Sequence, residues 1–252
     1  MMEDMIQTIS PVAVIHTDFK HKFGIPRQCN LVPELKGTIA FLGKYNDPAS
    51  IRGLEEYSHI WLLWGFSESK REKETLVSFP PRLGGKTKRG VFATRSPYRP
   101  NSIGMSVVKI EKVITDDADG ILKILVTGAD MLDGTPIYDI KPYMAYSDSI
   151  PEAIGGTGHG RIHHEIQVIF PQELRDVLPD DIAHVVVSLL KQDPRDAYNR
   201  SADHIYAMEY AGYDIRFTCS PEPASDAADI VTFTVVSVVR TDDGEFVKVK
   251  SR

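Results

Sequence analysis

Two stretches of the chain collect side chains that can do chemistry. In RSPYRPNS, residues 95–102, Arg95 and Arg99 offer two guanidiniums, Asn101 an amide, and Ser96, Tyr98 and Ser102 hydroxyls. Pro97 and Pro100 fix φ and remove two backbone donors, so these groups sit on stiff backbone. A planar guanidinium fork on such a support suits a carboxylate, a phosphate or a base edge. The same residues also fit a proline-stiffened surface loop with two solvated arginines. In ADMLDGTPIYDIKPY, residues 129–143, Asp130, Asp133 and Asp139 lie close together, with Lys141 and Tyr143 following at two-residue steps. Residues two apart on extended backbone share a side, so Asp139, Lys141 and Tyr143 form a carboxylate–ammonium–phenol row. Such a row suits proton transfer or the holding of a polar ligand. The bland alternatives are Asp133-Gly134 turn chemistry and a surface ion pair.

Two smaller groups join them. Pro26 restrains the backbone just before Arg27 and Gln28, a forked donor and an amide able to meet an adenine-type edge or a backbone amide. Arg195, Tyr198 and Arg200 place cations around an aromatic, a pairing used on single-stranded RNA and equally found in solvated loops. His159, His163 and His164 lack a cysteine or carboxylate that would complete a metal spacing, so no metal is expected. GGTGHG lacks the lysine and serine or threonine of a phosphate loop, and no GxGxxG dinucleotide motif is present.

The 252 residues allow one large or two modest domains. A net charge of −6 argues against tight non-specific nucleic-acid binding, although Lys86, Lys88, Arg89, Arg95 and Arg99 make one local basic run. Cys29 and Cys219 are far apart, which points to a reducing, cytoplasmic setting without a disulfide framework. No apolar run is long enough to span a bilayer, and the first ten residues lack an apolar signal core, so no membrane association is expected.

These groups need elements to hold them. Strands are expected over residues 5–17, 36–42, 59–66, 90–94, 105–114 and 120–128, with a helical turn at 48–57. HIWLLWGF, 59–66, is nearly all apolar and reads as a strand buried on both faces, with His59 in the core. Residues 147–160 form a glycine-rich break. Beyond it, 164–170 reads as a strand, 171–178 and 180–192 as helices, and 205–219, 230–240 and 245–250 as strands. The fold class is therefore mainly β: an antiparallel barrel or sandwich over 1–148, then a small α+β domain over 149–252.

The segments FGIPRQCNLVPELKGTIAF, SHIWLLWGF, GVFATRSPYRPNSIGMSVVKIEKV and LDGTPIYDIKPY, with LLKQDPRDAY and IYAMEYAGYDIRF in the second half, resemble the TsaA-like, TrmO-type tRNA methyltransferases in their bacterial two-domain form. The resemblance implies a β-barrel enzyme that uses S-adenosylmethionine without the usual methyltransferase Rossmann fold. It implies a homodimer with cofactor near the subunit interface. The substrate implied is the adenosine immediately 3′ of the anticodon, already carrying N6-threonylcarbamoyl, which gains a methyl on N6. Carried over by position, Pro26, Arg27, Gln28, Leu132, Asp133, Gly134 and Thr135 would hold the cofactor; by the chemistry of its planar fork, Arg95 would clamp a carboxylate of cofactor or modified base. Arg99 and Asn101, with Tyr98, would line the mouth, and Tyr143 would stack on a purine. Arg195 and Arg200, with Tyr198, would grip the tRNA anticodon stem-loop. Asp139, or alternatively Asp133, would accept the N6 proton, with Lys141 orienting it. A cofactor-binding sensor without transferase activity, or a methyltransferase acting on a small molecule, are the rival readings.

Overall fold

Alternation of inward apolar with outward polar residues closes the first half of the chain on itself. The computed structural model describes residues 6–69, 75–80, 87–155, 165–195, 204–220 and 230–241. In chain order its strands are β1 (Ala13–Thr17), β2 (Lys36–Phe41), β3 (His59–Gly65), β4 (Val77–Ser78), β5 (Arg89–Gly90), β6 (Ile103–Ile114), β7 (Lys123–Thr127) and β8 (Thr135–Pro142). A short helix, α1 (Ala145–Asp148), follows. β1, β2, β7, β6, β3 and β8 form a closed barrel in that order, every neighbouring pair antiparallel. Closure leaves no unpaired edge and fills the interior with side chains.

Ile15, Ile39, Ile60, Leu62, Val108, Ile124 and Ile137 point inward and are fully buried. Trp64 pairs with Gly104 across β3 and β6, and a Cβ on Gly104 would stand 2.4 Å from the indole, so the ring lies over a position only glycine can fill. His59, Trp61 and Leu63 face outward and are half-buried, so β3 is buried on one face, not two. The pleat, read against a closed barrel, leaves the alternate residues on the outer wall.

Other elements are shorter than their sequence suggests. Extended ladder structure begins only at Ala13, past Pro11. Residues 90–94 yield β5 and then a 3-10 turn, Val91–Ala93. Pro48–Ile51 and Leu54–Glu56 are separate 3-10 turns.

The second half comprises β9 (Glu165–Ile169), α2 (Gln172–Arg175), α3 (Asp180–Leu190), β10 (Tyr206–Tyr210), β11 (Tyr213–Cys219) and β12 (Ile230–Arg240). The sheet runs β10-β11-β12-β9, with β9 parallel to β12. Residues 205–219 are thus a hairpin, turned by Ala211 and Gly212 at positive φ. α3 carries Asp180 and Asp181 in its first turn, where the helix dipole favours them, and buries Val185, Val186, Leu189 and Leu190. The expected strand at 245–250 lies outside the described residues.

The two cores do not divide at one point in the chain. The β1–β2 connection, residues 18–35, leaves the barrel and buries Phe19, Val32 and Leu35 in the core of the second sheet. Phe19 meets Tyr210 at 5.1 Å, and Ala211 N donates to Asp18 O at 3.1 Å. Each such buried apolar anchor contributes about 1.5–3 kcal/mol, so the small domain holds this loop firmly.

Candidate functional site

Antiparallel pairing decides where the candidate groups sit. β1 and β7 end, and β2, β6 and β8 begin, at one rim of the barrel; β3 also ends there. Four connections therefore converge: residues 18–35, the segment after Gly65, residues 95–102 and residues 128–134. These hold most of the sequence-predicted cofactor residues.

The first and last of these loops are stitched together. Asn30 N donates to Gly128 O at 3.1 Å, and its Nδ2 donates to Val107 O at 2.9 Å. A Cβ on Gly128, whose φ is +80°, would stand 2.1 Å from Asn30 Oδ1. Asp133 N donates to Phe19 O at 2.8 Å and Gly134 N to Ile15 O at 3.0 Å. Thr135, buried, turns its Oγ1 back to Leu132 O at 2.7 Å, which makes Leu132 to Thr135 a closed turn with Gly134 at φ 76°.

Arg95 and Gln28 meet directly, Arg95 Nη1 donating to Gln28 Oε1. Gln28 Nε2 in turn donates to Arg27 O at 2.5 Å. Arg27 reaches the other way, its Nη2 donating to Arg195 O at 3.1 Å in the small domain. Buried Pro26 and half-buried Arg27 also form one wall of a cavity of about 280 Å³ against Leu189, Gln192 and Asp193. Two proline-braced stretches distant in sequence thus form one surface.

Asp133 lies at the same rim, on the β1 side. Its carboxylate takes Lys20 Nζ at 2.6 Å, Thr17 N at 3.1 Å and His16 Nδ1 at 3.2 Å. Burial pulls its pKa up, but the hydrogen bonds from Lys20 and Thr17 outweigh it and hold the carboxyl below the ordinary aspartate value. Arg99 is half-buried, its Nη1 donating to Thr94 O at 3.1 Å, while Asn101 and Tyr98 are exposed at the mouth.

Three expectations need correction. Asp139 and Lys141 do pair, at 2.9 Å, but on the outer wall. A bulge in the β3–β8 ladder between Leu63 and Trp64 lets Ile137 and Ile140 point inward and turns Asp139 and Lys141 out. Asp139 stands four residues past the rim at Thr135, about 13 Å by strand rise. Tyr143 packs on the same wall against Trp61 at 5.8 Å and His59 at 6.3 Å, at the opposite barrel end, which is packing and not an open stacking surface at the rim. Arg195 is 1% exposed and therefore not an RNA-facing cation. Its Nε and Nη2 bind Asp193 at 2.7 and 2.9 Å, and its guanidinium lies 5.0 Å from the Phe233 ring centroid. Tyr198, Arg200 and the histidines 159, 163 and 164 lie outside the described residues. Among the described residues no cluster fit for a metal occurs, and no helix is long and apolar enough to cross a membrane.

One rim residue escaped the sequence assignments. Asp130, half-buried, accepts Ser106 Oγ at 2.7 Å. Burial pushes its carboxyl above the ordinary value, while Ser106, backbone amides and the nearby Arg95 charge pull back. Cys29 lies beside it, raised by burial and by the Asp130 charge. A polar residue ending the inward pattern of β7 was the available signal.

The rim thus gathers a guanidinium, an amide, a glycine turn and a half-buried acid. Comparison with known proteins gives the same family for the whole chain. The family model described as tRNA-methyltransferase O N-terminal domain matches residues 14–149, and the TrmO C-terminal domain matches residues 163–232. The tRNA (adenine(37)-N6)-methyltransferase of Escherichia coli K12 is 35% identical over 214 residues, 82% of this chain and 90% of that protein. A putative S-adenosylmethionine-dependent methyltransferase, RcsF, of Pseudomonas aeruginosa is 37% identical over 203 residues, covering 78% and 85% of the two chains. The solved structure of TrmO from P. aeruginosa superposes with a TM-score of 0.71 at 30% identity, covering 94% of this chain and 98% of that one. With a barrel match spanning more than half its length, the chain belongs to the tRNA-methyltransferase O family.

Proposed function

We propose that this protein methylates N6 of adenosine 37 in tRNA, using S-adenosylmethionine, and that the adenosine already carries N6-threonylcarbamoyl. The relative in E. coli is named for adenine 37 and that in P. aeruginosa for S-adenosylmethionine. The observation that carries the reading is the Gln28–Arg95 pair, which joins the two proline-braced stretches at one barrel rim.

The donor set fits the cofactor. S-adenosylmethionine supplies a methyl already activated on a sulfonium, so no covalent enzyme intermediate is required. The chain's task is to hold nitrogen and methyl in line, which can take several kcal/mol off the activation barrier. Arg95 offers a planar fork for a carboxylate, with Gln28 and Arg27 beside it. The turn from Leu132 to Thr135 presents backbone where Gly134 adds no side chain. Cofactor and threonylcarbamoyl each bring a carboxylate, and the rim brings two arginines, Arg95 and Arg99, with Asn101 at the mouth. That pairing is why the modified base, and not plain adenosine, is the substrate of this reading.

We place the enzyme as a homodimer, because Leu76, Phe92, Tyr146, Ile150 and Ile154 expose large apolar side chains that a second copy would cover. Cys29 and Cys219 stand as thiols and not as a disulfide pair, which accords with a cytoplasmic setting. The test is methyl transfer from labelled S-adenosylmethionine to tRNA with and without threonylcarbamoyl at adenosine 37. Label is expected on the modified tRNA alone. Label on both equally would remove the threonylcarbamoyl requirement, and label on neither would overturn the reading.

A further inference from the structure

Within that reading, we propose that Asp130 is the catalytic base that takes the N6 proton during transfer, in place of Asp139. Three observations converge on it. It stands at the rim, in the β7–β8 connection, beside Cys29 of the cofactor loop and within the field of Arg95. Its orientation is set from behind. Trp64 Nε1 donates to Ser106 Oγ at 3.1 Å, and Ser106 Oγ donates to Asp130 Oδ1 at 2.7 Å. An indole N–H can only donate, so the serine oxygen accepts from it and the serine proton is directed at the carboxylate. Ser106 is 1% exposed, so water does not compete for this relay. Ser106 holds Oδ1, and the Cys29 amide also donates to the carboxylate, so its direction is fixed from two sides.

The other rim and wall carboxylates are poorer bases. Asp133 is held by Lys20, Thr17 N and His16, and Asp139 by Lys141 and Ile140 N. The donors on Asp133 hold its carboxyl below the ordinary value, and Asp139 sits on the outer wall, away from the rim. At Asp130, unlike Asp133, burial outweighs the hydrogen bonds and raises the carboxyl, and a base works best when its proton affinity approaches the working pH.

The step balances. The N6 nitrogen forms a bond to the methyl carbon while the carbon–sulfur bond breaks and its electron pair stays on sulfur, leaving a neutral thioether. The N6–H pair stays on nitrogen and the proton passes to the Asp130 carboxylate. A cation and a carboxylate become a neutral thioether and a carboxylic acid.

The test is single-turnover methyl transfer to threonylcarbamoylated tRNA across about pH 5 to 9, with cofactor affinity measured separately. Wild type should speed up with pH to a plateau. Asp130→Asn keeps an acceptor for Ser106, and should lose on the order of 100-fold in rate with cofactor affinity changed less than about 3-fold. Ser106→Ala removes a hydrogen bond to the charged form, so its rising limb should move to higher pH. Asp139→Asn should keep the wild-type limb. In the free protein, NMR of isotope-labelled aspartate should show Asp130 titrating above the ordinary aspartate value, and higher still in Ser106→Ala. Wild-type rate and limb in Asp130→Asn would overturn the proposal alone. Should that variant misfold, an unmoved limb in Ser106→Ala would overturn it. A wild type that binds cofactor but labels no tRNA would overturn the functional reading and this proposal with it.

Discussion

The rim of the barrel and its outer wall carry similar side chains and hold them differently. At the rim, Asp130 is fixed by Ser106 and Trp64 from β6 and β3, Asp133 by residues of β1 and its following loop, and Gln28 by Arg95. These partners lie tens of residues away in sequence. On the wall, Asp139 and Lys141 sit two residues apart on one strand and meet each other, both substantially exposed. An exposed pair of this kind contributes little to stability. A half-buried acid braced from behind has its proton affinity shifted and its direction set, which is what catalysis requires of it.

The largest effect that sharpens this contrast comes from behind the rim. Arg195→Ala would leave Asp193 buried without its guanidinium, and should cost about 3–5 kcal/mol in urea unfolding. A smaller loss is expected at the stitch between the loops. Gly128→Ala combines a left-handed φ of +80° with a clash against Asn30, and should cost about 1–3 kcal/mol, read as a lower melting temperature.

Acid should separate the two regions again. Asp133 has a depressed folded-state pKa, so its stabilisation is present above the unfolded value of about 3.9 and is lost as pH falls through the folded one. The stability difference between wild type and Asp133→Asn should therefore close as pH drops below about 4, followed as the urea midpoint. Smallest of all, Lys141→Ala on the wall should change stability by less than about 0.5 kcal/mol at neutral pH. A loss of several kcal/mol there would break the comparison.

Much of this arrangement was legible before the fold. The proline-braced loop at 95–102, the PRQ stretch and the LDGT turn were all readable from residue type and spacing, and turn chemistry put them on connections. Successive strands linked by turns, without intervening helices, pointed to an antiparallel barrel or sandwich. Three things were not legible. HIWLLWGF has no polar member to reveal its outer face, so its one-sided burial depends on barrel closure. The bulge opposite Leu63 decides where Asp139 points, and a one-residue shift in register turns a strand's side chains to the other face. Arg195 looked like an RNA contact because its partner, Asp193, adopts φ 49° and folds back onto it, a local geometry with no glycine to announce it.

The central claim is that the rim, and not the wall, holds S-adenosylmethionine. Equilibrium binding of the cofactor to wild type, Gln28→Ala, Arg95→Ala and Lys141→Ala tests it directly. Affinity should fall about 10-fold or more in the first two variants and stay within about 3-fold of wild type in the third. Unchanged affinity in Gln28→Ala and Arg95→Ala, with binding lost in Lys141→Ala, would contradict the account.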